Sequence, residues 1–476
     1  MVLSLSWRIS DNGIAWARKV MADNPTLPVI LVNHQLLNIA ADAVSPLETA
    51  YGLMLWEKLI RDNDQIFMTL NGHYHGAALL TKTNDAGNPV HEMVVDYQMA
   101  YNGGNGEMRL YEFDLTHNKI NVLSFSPWVV EKPKDSLNQF DVAVLTDSNE
   151  QFSIDIDFAQ RFSRFNKDFK AGSASRTSLI DKARDIILTG FTEPVVVEPV
   201  APKDRDDYVK VTSTVAHWRF GSGTDGQSVA SGEVVADESG SNPIHRVAPN
   251  SESGVAQAQL ADLVWSSDSH HLSAAMGSVR FLNTDKNVGR MSYFKTQDQA
   301  ALNAMDFSSS GYTVEAFVKI DAGWSAGNNA WMNIMTRDGR RDAVPGFSGG
   351  DGESPPLLFA VSSLREIQWE IVPAHSGTRS PQASWSGEIL RDRWVHIAIV
   401  ADAKAGESVM YIEGAPVLRN SGDASGLAKV SDTMPWVVGA GSWAGDRADG
   451  FFGAIAEVRV VAEPLPSSQW LTARRA

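Results

Sequence analysis

Three histidines are the residues of this chain best placed to do chemistry. His34 follows the apolar run Val29-Ile30-Leu31-Val32, and His73 and His75 follow the run Ile66-Phe67-Met68-Thr69-Leu70. Neutral imidazole is the commonest protein ligand for zinc, iron and similar ions. Two histidines two positions apart point the same way from an extended segment, and the glycines of Asn71-Gly72-His73-Tyr74-His75-Gly76 let the backbone bend sharply around them. In an open α/β sheet, groups at the carboxyl ends of neighbouring strands face one crevice, so the three rings are expected to converge on a metal site. Any one of these histidines alone reads more plainly as a satisfied loop residue; the three together favour ligation.

The elements that must position them form a layered pattern. Leu3, Leu5, Trp7 and Ile9 alternate with Ser4, Ser6 and Arg8, which predicts a strand, and Ser10-Asp11-Asn12 supplies capping oxygens for a helix running to about Ala22. Pro25 and Pro28 end that helix before the strand Val29–Val32. Ser45-Pro46-Leu47-Glu48 reads as a capping box with proline at the first helical position, opening a helix to Arg61. Strand, helix, strand, helix, strand predicts parallel α/β layering in a unit too small to close a sheet alone. From Gly76 to about Phe158, short alternating stretches between Gly, Asn and Asp turns predict an antiparallel sheet. A helix at 176–188 then leads into the proline-rich run 193–202, an extended linker. Beyond residue 208, strand signals at 215–220, 312–320, 357–361, 367–371, 394–401, 408–412 and 454–461 predict a β-sandwich or jelly roll.

Composition narrows the function. The chain has 476 residues and a net charge of −16, which repels phosphate backbones and anionic lipid, so nucleic-acid and membrane-surface roles are disfavoured. It has no cysteine, which excludes disulfides, thiolate metal sites and cysteine nucleophiles but leaves cytosol and exterior both open. No apolar run is long enough to span a bilayer, and the first residues do not read as a signal peptide.

Val32-Asn33-His34, followed about forty residues later by Gly72-His73-Tyr74-His75, resembles the last two motifs of the calcineurin-like metallophosphoesterases. Asp96-Tyr97-Gln98, Asn102–Gly106, Arg109–Phe113 and Ser126-Pro127-Trp128 resemble the sheet that follows those motifs in secreted members. The resemblance covers residues 1 to about 160, the closing half of that domain. It implies that His34 and His73 bind one divalent ion (zinc, iron or manganese) and His75 a second, the pair activating a bridging water against a phosphate ester. The family's earlier motifs, Asp-Xaa-His, Gly-Asp-Xaa-Xaa-Asp and Gly-Asn-His-Asp/Glu, are absent, so no catalytic residue is assigned and weak or no turnover is expected; an open reading frame starting late is the favoured account. Asp268-Ser269-His270 and Gly445–Asp449 match two of those strings but fall in the wrong order among turn residues.

Tyr312–Lys319, Trp394–Ile399, Met410–Gly414 and Phe452–Arg459 resemble strands of laminin-G or concanavalin-A-like jelly rolls, with Asp237–Gly240 as the opening turn. That resemblance implies a glycan or cell-surface ligand, sometimes bound through calcium, although Ile455-Ala456-Glu457 stands where many relatives carry Ile-Asp. Trp324, Trp331, Trp369, Trp385 and Trp443 are candidates to stack on sugar faces, and Asp351 and Glu353 could hold a cation or simply form a solvated turn. The expected organisation is therefore α/β plus all-β: a partial α/β/β/α metallophosphoesterase-like sandwich at 1–160, a helix and linker at 161–207, and an antiparallel β-sandwich at 208–472. Intact proteins of this architecture are expected to be secreted. Two functions remain open: a metal-dependent phosphoesterase carrying a binding module, or a non-catalytic carbohydrate- or protein-binding protein.

Overall fold

The computed structural model describes all residues except 41–43, 99, 173–177, 195–198, 253–256, 287–289, 308, 375–381, 422–425, 429–432 and 475–476. The chain divides into two compact units, Met1–Val197 and Glu198–Ala476.

In the first unit, strand β1 (Val2–Ser4) leads into helix α1 (Asp11–Asp23), whose first turn is capped by Ser10 Oγ accepting the Gly13 N–H. Strand β2 (Val29–Val32) follows, then a small hairpin of β3 (Leu37–Ile39) and β4 (Pro46–Glu48). The next helix, α2 (Ala50–Leu55), is capped by Thr49 and runs on through one π-helical stretch, Trp56–Ile60. The sequence places that helix start at Ser45. The structure instead puts Pro46–Glu48 in the β-hairpin, because Leu37 and Ile39 offer an edge to pair with, and Thr49 Oγ takes the cap. Tertiary pairing overrides the local signal.

Strands β5 (Ile66–Asn71), β6 (Gly76–Thr83) and β7 (Pro89–Asp96) complete the first sheet, in the order β1-β2-β5-β7-β6. The first four are parallel and only β6 is antiparallel. Leu3, Leu31, Ile66 and Val90 on one face pack against Ile14, Ala17 and Leu59 of the helices. A second, antiparallel sheet holds β8 (Met108–Asp114), β9 (Lys119–Phe125), β10 (Val144–Leu145) and β11 (Gln151–Asp155). Phe67, Met68 and Met93 of the first sheet share a core with Ile120 of the second and with Phe158 and Phe162. The antiparallel texture read after Gly76 thus splits: β6 and β7 extend the first sheet, and β8 to β11 make the second.

Among the described residues the second unit holds two eight-stranded antiparallel sheets and one two-stranded hairpin. One is centred on Phe452–Val461, Gly311–Ile320 and Trp394–Asp402; the other runs through Met332–Arg337, Leu357–Val361 and Glu366–Ile371. Their inner faces enclose one large apolar core including Trp218, Phe281, Phe294, Val314, Ile334, Phe359 and Trp436. This antiparallel sandwich is the arrangement that the alternating strands predict.

Candidate functional site

Two buried asparagines fix the loops that carry the histidines. Asn33, at the end of β2, donates through Nδ2 to the Ser6 carbonyl (3.0 Å) and accepts the Gln35 N–H (2.9 Å). Asn71, at the end of β5, accepts the Leu37 N–H (3.0 Å) and donates to the Leu37 carbonyl (2.8 Å). The two loops are thereby tied to each other.

They bring His34 and His73 together. His73 Nδ1 lies 3.1 Å from His34 Nε2, with the ring centroids 4.9 Å apart. Trp7, beyond β1, packs against both rings at 5.4 and 5.6 Å and anchors its indole N–H on Gln35. His73 is held at a φ of 70°, a conformation that costs a non-glycine residue about 1 kcal/mol and persists only where the surroundings enforce it. Partial burial lowers the His73 pKa, and the neighbouring His34 lowers it further; His75 acts in the same sense, while Asp96 opposes. The neutral imidazole that results is the form that ligates metals.

The two ring nitrogens lie at hydrogen-bond distance, one ring donating to the other, and their spacing is also close to that of two ligands on one ion. Two imidazole nitrogens at about 2.05 Å from a tetrahedral zinc stand about 3.3 Å apart, and the observed separation is 3.1 Å. Among the described residues, no group of three His, Asp or Glu side chains is arranged to hold a metal. The geometry therefore supplies two nitrogen donors side by side, with His75 and Asp96 near enough for their charges to bear on His73. Asp96 was not singled out as a site residue from sequence. Its position at the carboxyl end of β7, beside β5, is the signal that could have found it. Trp7 had no such signal, since its contact depends on how β1 leads into α1.

In the sandwich, the strings at 268–270 and 445–449 are occupied otherwise. Asp268 pairs with Lys319 at 2.5 Å, His270 with Glu413 at 3.2 Å, and partial burial raises the half-buried Asp449 carboxyl to about 6. Asp237 does form a turn, accepting the backbone N–H groups of His217, Ser239 and Asn242. Of the tryptophans, Trp324 and Trp369 are core residues, Trp331 is half-buried, and Trp443 is 48% exposed; the side chain of Trp385 lies outside the described residues. Glu457 is fully buried. Burial alone would raise its pKa, but hydrogen bonding and charge from His217, with Arg219 and Ser273, hold it down at about 2. Glu315 is likewise buried, with Arg459 and His396. These ion groups bind the covering segments, including Leu471, to the sheet.

Residues 294–469 match the family model Laminin_G_3, described as the concanavalin A-like lectin/glucanases superfamily. With the antiparallel sheets above, this part of the chain is a concanavalin-A-like jelly-roll domain. The uncharacterized protein YvnB of Bacillus subtilis (strain 168) is 31% identical over 175 residues, which is 36% of this chain and 13% of that protein. The chain thus spans only a small part of that relative. Among solved structures, the binding domain of botulinum neurotoxin serotype D aligns over 54% of this chain and 50% of its own, at 9% identity and a TM-score of 0.34. Domain 4 of AbnA, an extracellular arabinanase from Geobacillus stearothermophilus solved with arabinotriose, covers 54% of this chain and 96% of its own at 13% identity and a TM-score of 0.31. A Trypanosoma rangeli sialidase covers 83% and 52% at 12% identity and a TM-score of 0.34. Likeness this distant carries no argument about ligands.

Proposed function

We propose that this chain is a binding protein whose C-terminal jelly roll recognises a carbohydrate. The observation that carries the reading is the match of residues 294–469 to the lectin and glucanase superfamily, supported by Trp443, whose half-exposed indole on the hairpin of Gly441–Trp443 and Asp446–Ala448 offers a plate for a sugar face. The alternative of glycan hydrolysis by the sandwich lacks support: Glu315 and Glu457 are sealed beneath the covering segments and already engaged by arginine and histidine. The test is a glycan array on the purified chain. Saturable binding that survives His73→Ala supports the reading; an array with no bound glycan overturns it.

A second reading, a metal-dependent phosphoesterase part in the first unit, is favoured by the 3.1 Å approach of His34 to His73 at the carboxyl ends of adjacent parallel strands. In this reading His34 and His73 would hold a divalent ion, His75 would contribute to a second, and the metal would supply Lewis-acid activation of water. The protein's own part is to hold the imidazoles aligned, through Asn33, Asn71 and Trp7. Zinc titration followed by calorimetry tests it. Binding that weakens at least about tenfold in His34→Ala and in His73→Ala supports ligation, and affinity unchanged by both substitutions refutes it. The isolated chain is expected to turn over a chromogenic phosphate ester with manganese weakly or not at all.

A further inference from the structure

The hairpin that carries Trp443 is built to hold its side chains in place. Its turn residues, Ala444 and Gly445, both have positive φ, 54° and 92°, the backbone of a two-residue type I′ turn whose twist matches the strands it joins. Successive cross-strand pairs face opposite ways. Ser442 and Arg447 face inward: Arg447 donates to Asp338 at 2.6 Å and lies 4.7 Å from the centre of the Tyr293 ring. Trp443 and Asp446 form the next pair, directly opposite each other on the other face, which puts their Cβ atoms about 5 Å apart. Both are exposed, and Trp443 is the most exposed of the second unit's described tryptophans.

The charges around this pair decide what it can hold. Arg447 is engaged by Asp338, and Arg340 donates through Nε to Asp342 at 3.0 Å. The loop that follows reaches the turn where the Glu353 carbonyl accepts the Ala444 N–H at 3.0 Å, which brings a second acidic residue beside it. Among the described residues no cation pairs with Asp446. A sugar ring lying on the indole therefore has a carboxylate, and no unengaged arginine, at its edge. The face of an indole attracts cations through its quadrupole, and a carboxylate accepts a charge-assisted hydrogen bond from an ammonium. A uronate or sialate in the same place would meet a like charge.

We infer that the Trp443–Asp446 pair selects a cationic sugar: a hexosamine whose amino group is free, stacked on the indole with its ammonium donating to the Asp446 carboxylate. The inference rests on the carbohydrate reading above and adds to it the charge of the ligand and the residue that reads it. The indole supplies affinity for a sugar face of any kind, and Asp446 supplies the discrimination.

The probes are identically linked hexamers of glucosamine and of N-acetylglucosamine, titrated into the full chain by calorimetry at about pH 6, where an amine of this kind is protonated. Acetylation removes the charge on the nitrogen and leaves the ring to stack. The glucosamine hexamer should bind at least about tenfold tighter, and added salt should narrow the gap. Asp446→Asn keeps the size at an exposed position and should bring the two hexamers within about threefold of each other, and Trp443→Ala should abolish binding of both. Circular dichroism of each variant separates lost binding from lost folding. Equal affinity for the two hexamers, tighter binding of the acetylated one, or a preference that survives Asp446→Asn overturns the inference. If neither hexamer binds while the array finds another glycan held through Trp443, the inference falls and the carbohydrate reading stands; if no glycan binds at all, both fall.

Discussion

Glu92 should weaken the first unit as pH rises, and replacing it should strengthen it. The residue sits in the middle of β7, between Val90 and Val94, with 5% of its surface exposed. Burial raises its pKa from 4.5 to about 7; Lys82 opposes the shift and Glu48 adds to it, and Lys82 is itself held by Glu48 and by the Trp56 ring. A carboxylic acid whose folded pKa lies above its unfolded value binds more protons when folded. Its contribution is therefore favourable at low pH and is lost between about pH 4.5 and 7. A carboxyl raised from 4.5 to about 7 corresponds to about 3 kcal/mol. Glu92→Gln keeps the shape and removes the charge. It should stabilise the unit by up to about 3 kcal/mol at pH 8.5, or about 6 to 12 °C in Tm for a unit of this size, and by little at pH 4. Differential scanning calorimetry of wild type and variant at both pH values reads this directly. Equal stabilisation at the two pH values, or destabilisation at pH 8.5, would show that Glu92 is not a buried carboxylate without a compensating partner, and the reasoning would fail.

Other consequences are simpler to state. His217→Ala leaves the Glu457 carboxylate buried with one partner fewer, so the sandwich should lose about 3 kcal/mol, read from its urea midpoint. Protonating Glu457, held at about 2, requires strong acid; the His217 pairing should therefore persist down to about pH 3 and fail only below it, visible as a cooperative loss of near-ultraviolet circular dichroism. Gly311 has a φ of +101°, and a Cβ there would stand 2.0 Å from the Ala401 carbonyl oxygen, so Gly311→Ala should destabilise the sandwich by more than about 2 kcal/mol in the same urea assay. Trp443→Ala should remove glycan binding while changing the melting temperature by no more than about 2 °C, because the indole is half in solvent; a large drop in stability would make it a packing residue instead.

Much of this was legible along the chain. Short runs of apolar, β-branched and aromatic residues bounded by turn residues placed the strands Leu357–Val361, Trp394–Asp402 and Glu407–Ile412 almost to the residue, because a strand covered on both faces must be apolar nearly throughout. The position of His34 and His73 at the ends of two apolar strands was equally readable, and parallel pairing then makes them neighbours. The start of α2 was not readable: Ser45-Pro46-Leu47-Glu48 carries every local mark of a helix cap, and only the edge offered by Leu37–Ile39 turns it into a strand. Nor could the alternating residues after Gly76 say which sheet each strand would join, since period two records a buried face and not the neighbour across the ladder. The sequence by itself determined which residues must be covered and which imidazoles share an edge. Tertiary structure alone decided the 3.1 Å approach of those rings and the sealing of Glu315 and Glu457. Those features depend on contacts between segments distant in sequence, and no local periodicity encodes them.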